Sequence, residues 1–482
     1  SGTLANGDKV VVNADGTVGK AGLFGAISSN SGSSVSNAGP TNAQALRTAF
    51  LDSGKIVILY GDQNNSNYIT ASVGTISGGT ITFNTPAVLV SSSEQNWNLV
   101  ALTGDKFLFA YRKTSTGSPY YVHYAVGTVS GTTISVGAET VDPAVYSNPI
   151  ISMVYHPAEN KVVEMQRGSP GIGGSFMAPR VVTVSGDSVS FGSVGSSIGQ
   201  ENAQSWSAAY DPTSQKIVYA WQQLPGGGVW EGATAVVSVS GSSASVGSVH
   251  VFRSNQIGSQ AVTVDTTSNK VILSYSNTDY SKRYFKLGTI SGSNLSFGSE
   301  YIFSDPSVTE VSGTSYLSYD SGTNRILMSY TAWLGQVAGV HNWSSQAVVG
   351  VVSGNSITFE TPIVLYSPYV SYTNYQSQYF DPISGTVILT NLNNDYEVSA
   401  YAITTAAKAT NLTTENFVGI ADGAYSTGVT ATIQTAGAVD DAQSGLTAGQ
   451  AYFLKGDGTL NTIPDTPRVF AGVALSATEL MI

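Results

Sequence analysis

The chain contains no cysteine among its 482 residues. That excludes disulfide frameworks, thiolate metal sites, iron–sulfur clusters and cysteine nucleophiles. Charge is scarce as well: only 11% of residues are charged, against roughly 25% in an average soluble domain. Lys and Arg number 20 and Asp and Glu 31, a formal charge of −11. A chain so poor in cations suits a phosphate backbone badly, because binding there is driven by Lys and Arg displacing counterions. No nucleic-acid partner is expected. No apolar run reaches about 18 residues, so no helical membrane insertion is expected. The opening Ser1-Gly2-Thr3-Leu4 lacks the basic and apolar regions of a signal peptide.

What is present is 41% hydrophobic residues, 52 Gly and 26 Tyr, a composition that folds rather than staying disordered. A motif recurs along the chain: Lys55-Ile-Val-Ile-Leu-Tyr60, Lys106-Phe-Leu-Phe-Ala-Tyr111, Lys161-Val-Val-Glu-Met-Gln166, Lys216-Ile-Val-Tyr-Ala-Trp221, Lys270-Val-Ile-Leu-Ser-Tyr275, Arg325-Ile-Leu-Met-Ser-Tyr330 and Thr386-Val-Ile-Leu-Thr-Asn391. First positions are 51, 55, 55, 54, 55 and 61 residues apart. A turn precedes most copies, at His156-Pro157, Asp211-Pro212, Asp265-Thr266, Asp320-Ser321 and Asp381-Pro382, where a short polar side chain bonds nearby backbone N–H groups. After six copies comes a Ser-Gly hairpin, at Gly78, Gly131, Gly186, Gly241, Gly292 and Gly354, where glycine supplies positive φ.

Each period thus holds four short strands, and four antiparallel strands repeated every ~50 residues are the blade of a β-propeller. The expected fold is all-β: a seven-bladed propeller over residues 36–407, a small β-rich domain over 408–482 and an N-terminal segment over 1–35. The seventh copy lacks the hairpin and one outer strand. Asp8-Lys-Val-Val-Val12 is expected to supply it and so remove an exposed sheet edge.

Catalytic signatures are sparse. His123, His156, His250 and His341 form no zinc-helix spacing, and His156 reads as a turn residue. A sialidase box would need a tryptophan that Ser318-Tyr-Asp320-Ser-Gly322-Thr-Asn324 lacks. Glycosidases use two carboxylates about 5–10 Å apart, and nothing pairs Glu94, Glu201, Glu231 and Glu310. Asn13-Ala-Asp15-Gly16 and Asp457-Gly458 lack the three-ligand spacing of a calcium loop. No catalytic residue, metal or cofactor is expected, and the chain is not expected to be an enzyme.

Binding is expected on the face that gathers the loops between second and third strands and those entering each first strand. Trp97, Trp206, Trp230, Trp333 and Trp343 fall there, and Trp221 ends a second strand beside them. Aromatic faces stack on sugar C–H faces while amides orient hydroxyls. Trp97, Trp206, Trp230, Trp343, Tyr280, Tyr375, Asn96 and Asn342 are the expected ligand-binding residues. The alternative for each tryptophan is a cap on the core between blades.

Glu415-Asn-Phe-Val-Gly-Ile420, Gln443-Ser-Gly-Leu-Thr-Ala-Gly-Gln-Ala-Tyr452, Gly456-Asp-Gly-Thr-Leu460 and Val473-Ala-Leu-Ser-Ala-Thr478 resemble a module at the ends of tailed-bacteriophage structural proteins. The opening Gly2-Thr-Leu-Ala-Asn-Gly-Asp-Lys-Val-Val-Val12 resembles a companion segment of tail fibres. The resemblance implies a virion surface protein, a tail fibre or receptor-binding component that attaches to a host cell-surface glycan. It also implies other virion proteins as partners and a homo-oligomer, since such fibres are often trimers. A decoration protein without receptor role, or a polysaccharide depolymerase, are the alternatives.

Overall fold

The structure, a computed structural model, describes the chain except residues 1–3, 14–15, 22, 25–28, 31–42, 78–79, 116–120, 146–147, 168–176, 199–203, 226–227, 255–256, 278–281, 304–309, 338–339, 361, 367–375, 384, 393–397, 404, 406–408, 427, 457 and 465–467. Contacts divide it into two units, residues 29–405 and residues 1–28 with 406–482.

The larger unit is a β-propeller. Among the described residues seven antiparallel sheets follow one another in sequence, each ordered first, second, third and outer strand. The second sheet is typical, with Gln95–Leu102, Lys106–Lys113 and Tyr121–Ser130 followed by Thr133–Val136 and Thr140–Val145, both pairing with the third strand. The first strands pack side by side in chain order, and Gln376–Asp381 of the last returns against Ala43–Phe50 of the first. The ring therefore closes.

The continuous apolar runs of the second strands have a direct cause. A strand alternates its side chains, and here both faces meet a neighbouring sheet. Val57 and Leu59 join the core shared with the second sheet, whereas Ile56, Ile58 and Tyr60 join the core shared with the seventh. Phe107 and Phe109 likewise face the first sheet, while Leu108 and Ala110 face the third. Each such Val, Leu, Ile or Phe side chain contributes about 1.5–3 kcal/mol on burial. Gly127 of a third strand makes room for this packing, because a Cβ there would meet the Phe107 ring at 2.1 Å.

In the third to seventh sheets the turn after the first strand is held by a buried polar side chain, His156, Asp211, Asp265, Asp320 or Asp381. Asp211 accepts from the Thr213 and Ser214 N–H groups at 3.0 and 3.2 Å. Asp265 and Asp320 repeat the arrangement with Thr267 and Ser268, and with Gly322 and Thr323. His156 does the same work in the third sheet: Nδ1 accepts from the Glu159 N–H at 3.3 Å, and Nε2 lies 2.9 Å from the Gln215 carbonyl.

The last sheet is completed differently from the expectation. Ser29 and Asn30 pair with Ile403 and Ala402 as its outer strand. Lys9–Val12, expected there, instead pairs with Val18–Lys20 and Phe417–Ala421 in the smaller unit. The reason is burial: Val10 and Val11 are fully enclosed in the cores of that unit, with Ile420, Leu454 and Leu480 around Val11. The smaller unit adds a five-stranded sheet formed by Val439–Asp440, Leu480–Met481, Val469–Ala474, Ala451–Leu454 and Leu460–Asn461.

Candidate functional site

The first strands of all seven sheets line one cavity of about 800 Å3, near their turn ends. Its mouth carries the residues that open the turns, among them Asp52, Thr103, Pro157, Pro212, Thr266 and Ser321. Deeper, in five of the seven sheets the residue just before the turn is an aromatic, Phe50, Tyr155, Tyr210, Tyr319 or Phe380, and in the other two it is Ala101 or Val264. Phe50 stacks on Tyr379 with centroids 4.8 Å apart and planes 14° apart. Tyr379 keeps 51% of its surface exposed, so this stack presents a face to a ligand.

The polar groups around these rings are mostly neutral. Gln378 donates through Nε2 to Ser318 Oγ at 2.8 Å and to the Leu327 carbonyl at 2.7 Å. Its buried Oε1 has no partner among the described residues. Tyr319 donates to Thr267 Oγ1 at 2.7 Å, and Tyr155 to Asn160 Oδ1 at 2.9 Å. Burial raises the Tyr210 and Tyr319 phenols above their ordinary range, keeping them neutral donors. Asp52 is the only carboxylate among the lining residues, and it accepts from the Gly104 N–H at 2.8 Å. Among the described residues no group of three or more His, Asp or Glu side chains is placed to hold a metal ion.

The residues expected from sequence are not assembled here. Trp97 is only 9% exposed and belongs to the core between the first and second sheets. Trp206 stacks on buried Trp221 at 6.1 Å, and Trp230 packs against the core of the fourth and fifth sheets. These three tryptophans cap cores, because an indole gains more from apolar neighbours than from water. Asn96 is exposed, with φ +52°. Asn342 and Trp343 lie on Val340–Ser353, where only their backbone is described. Tyr280 and Tyr375 lie outside the described residues. The cavity lining was missed, although Tyr155, Tyr210 and Tyr319 recur at the repeat spacing and could have been found from it.

Glu94 and Glu231 bond to different neighbours. Glu94 is buried and accepts from Ser92, Thr114 and Ser115. Burial opposes its charge, but these bonds prevail and hold its carboxyl below the usual range. Glu231 accepts from Gln223 Nε2 at 3.3 Å. Only the backbone of Glu310 is described, and Glu201 lies outside the described residues. Two unforeseen clusters involve other carboxylates. Glu139 accepts from Tyr111 and lies 2.9 Å from His123 Nδ1. Between the second and third sheets, buried Arg180 donates to Asp142 at 2.5 Å and to Glu164 at 2.6 Å, and Tyr124 donates to Glu164 at 2.8 Å. Burial raises the Glu164 carboxyl, against the lowering by Arg180.

No protein-family description and no curated protein matches the chain. Among solved structures it is similar to a Trypanosoma rangeli sialidase, at 12% identity and a TM-score of 0.35, covering 84% of this chain and 58% of that one. It is also similar to a mutant NanB sialidase from Streptococcus pneumoniae, at 11% identity and a TM-score of 0.42, covering 80% of this chain and 70% of that one. A third is a putative oxidoreductase (glucose dehydrogenase) from Thermus thermophilus, at 11% identity and a TM-score of 0.35, covering 76% of this chain and 98% of that one. The chain thus spans less than two thirds of the Trypanosoma sialidase. These likenesses bear on the β-propeller fold alone. The expectation that the chain is not an enzyme does not stand beside solved structures named as sialidases, and at such identities no activity or residue role of this chain follows from them.

Proposed function

We propose that this β-propeller binds a glycan in its central cavity, and that it does so as a surface protein of a phage virion, a tail fibre or receptor-binding component. The cavity carries the first part of the reading. Its volume of about 800 Å3 lies within the 300–1,000 Å3 typical of ligand sites. The Phe50–Tyr379 stack offers a ring face to sugar C–H groups, and Gln378 lies beside it in the cavity lining. The site therefore moves from the long-loop face to the turn end of the first strands. The virion part rests on the resemblance of residues 2–12 and 415–478 to phage structural proteins. With it go a virion-surface location, other virion proteins as partners and self-association.

The experiment is binding of wild type, Tyr379→Ala and Gln378→Ala to an array of bacterial surface oligosaccharides, with released reducing ends measured in parallel. We expect wild type to bind and Tyr379→Ala to lose about tenfold, the scale of one aromatic contact. Absence of binding, or binding insensitive to both substitutions, would overturn the cavity as the site. Immuno-electron microscopy of host-phage particles tests the location: label away from the particle surface would overturn the virion reading.

A further inference from the structure

A smaller pocket of about 250 Å3 opens beside the central cavity, between the second and third sheets, and shares Leu102, Thr103 and Tyr155 with it. Its other polar side chains are Lys106, Asn160 and Lys161, and no carboxylate lines it.

Lys106 and Lys161 both occupy the opening position of the repeat, so their neighbours can be compared copy by copy. Lys55 lies 3.1 Å from Asp105, and Lys106 lies 3.1 Å from Asp187. Lys216 donates to the Gly292 carbonyl, and Lys270 to Thr289 Oγ1 at 3.1 Å. Arg325 lies 2.6 Å from Glu360. Lys161 is the exception: it is half-buried, and among the described residues its ammonium has no hydrogen-bond or ion-pair partner. A half-buried ammonium without an ion-pair partner of its own, facing a pocket that no carboxylate lines, favours an anion, because removal from water strengthens its field.

We infer that this side pocket takes an anionic substituent of the bound glycan, a carboxylate or a sulfate or phosphate ester, paired with Lys161 while the neutral sugar ring lies in the central cavity. The inference rests on the glycan-binding reading above. It refines that reading: the aromatic cavity supplies stacking common to many sugars, and the lysine selects those bearing a negative group. An ammonium binds each of these anions as a point charge, so the three sources share one recognition chemistry.

The test is an array carrying neutral, uronate-bearing, sulfated and phosphorylated oligosaccharides, probed with wild type, Lys161→Gln and Lys270→Gln at about 50 and about 500 mM NaCl, a range over which the screening length falls severalfold. Matched melting temperatures establish that the variants fold. The expected result is binding to anionic members, weakened by salt, reduced about tenfold by Lys161→Gln and unchanged by Lys270→Gln. The bound class then identifies the anion. Binding to neutral members alone, or equal binding by Lys161→Gln, would overturn this inference and leave the cavity reading standing. Binding to nothing would overturn both.

Discussion

Lys106 of the second sheet donates through Nζ to the carbonyl of Gly186, in the hairpin of the third sheet, at 3.3 Å. The same tie joins Lys216 of the fourth sheet to Gly292 of the fifth, and Arg325 of the sixth reaches the Thr405 carbonyl at 3.4 Å. Gly186 and Gly292 have φ of +61° and +58°, the hairpin geometry that turns these carbonyls outward. For Lys106 and Lys216 the cation that opens the second strand and the glycine of the next hairpin are therefore two halves of one contact between neighbouring sheets. Lys216→Met should cost about 1 kcal/mol, the worth of one exposed charge-assisted bond. Urea unfolding measures it, and a cost near zero would show that the contact adds nothing to stability.

The Arg180 cluster predicts a much larger effect. Its guanidinium lies among Asp142, Glu164 and the Tyr124 hydroxyl, all buried. Arg180→Met leaves two enclosed carboxylates without a cation and should cost about 3–5 kcal/mol. Adding Glu164→Gln should recover part of that loss, because one stranded charge is removed. A double variant no more stable than the single one would contradict this account.

Glu94 predicts a pH dependence. Its folded carboxyl titrates below the ordinary value, so its stabilisation is fully present above the unfolded value of about 4.3. It is lost as pH falls through the lower folded value. Glu94→Gln should cost about 1–2 kcal/mol at neutral pH, and the gap to wild type should narrow below about pH 4. A gap that widens with acid would contradict the assignment.

Val10 separates the two units experimentally. Its side chain is enclosed with Leu4 and Ala421, and its strand pairs with Phe417–Ala421. Val10→Asp places a charge in that core. Hydrogen exchange should show protection lost at Phe417–Ala421 but kept at Gln95–Leu102. Loss confined to Val398–Ile403 would instead place Val10 on the last propeller sheet.

Several of these features could be read from residue order. The opening cations, the Asp-Pro and Asp-Ser turns and the Ser-Gly hairpins each need a particular backbone geometry, and together they marked out the sheets. The closing strand escaped notice because two residues, Ser29 and Asn30, carry no periodicity, whereas Val10 and Val11 display a strand pattern that serves another core. Trp97 and Trp206 carried two readings, ligand contact or core cap, because an aromatic beside amides looks alike on a surface and at the edge of a core. Only the neighbouring sheet, contributed by a different stretch of the chain, decides between them. Lys161 stood out only after the partners of its cationic counterparts were visible.

The most direct test is the structure of the protein bound to an oligosaccharide selected from the array. The account predicts density in the central cavity, a sugar ring against the Phe50–Tyr379 stack and its anionic group beside Lys161. Density on the long-loop face near Trp343, with the cavity unchanged, would contradict it.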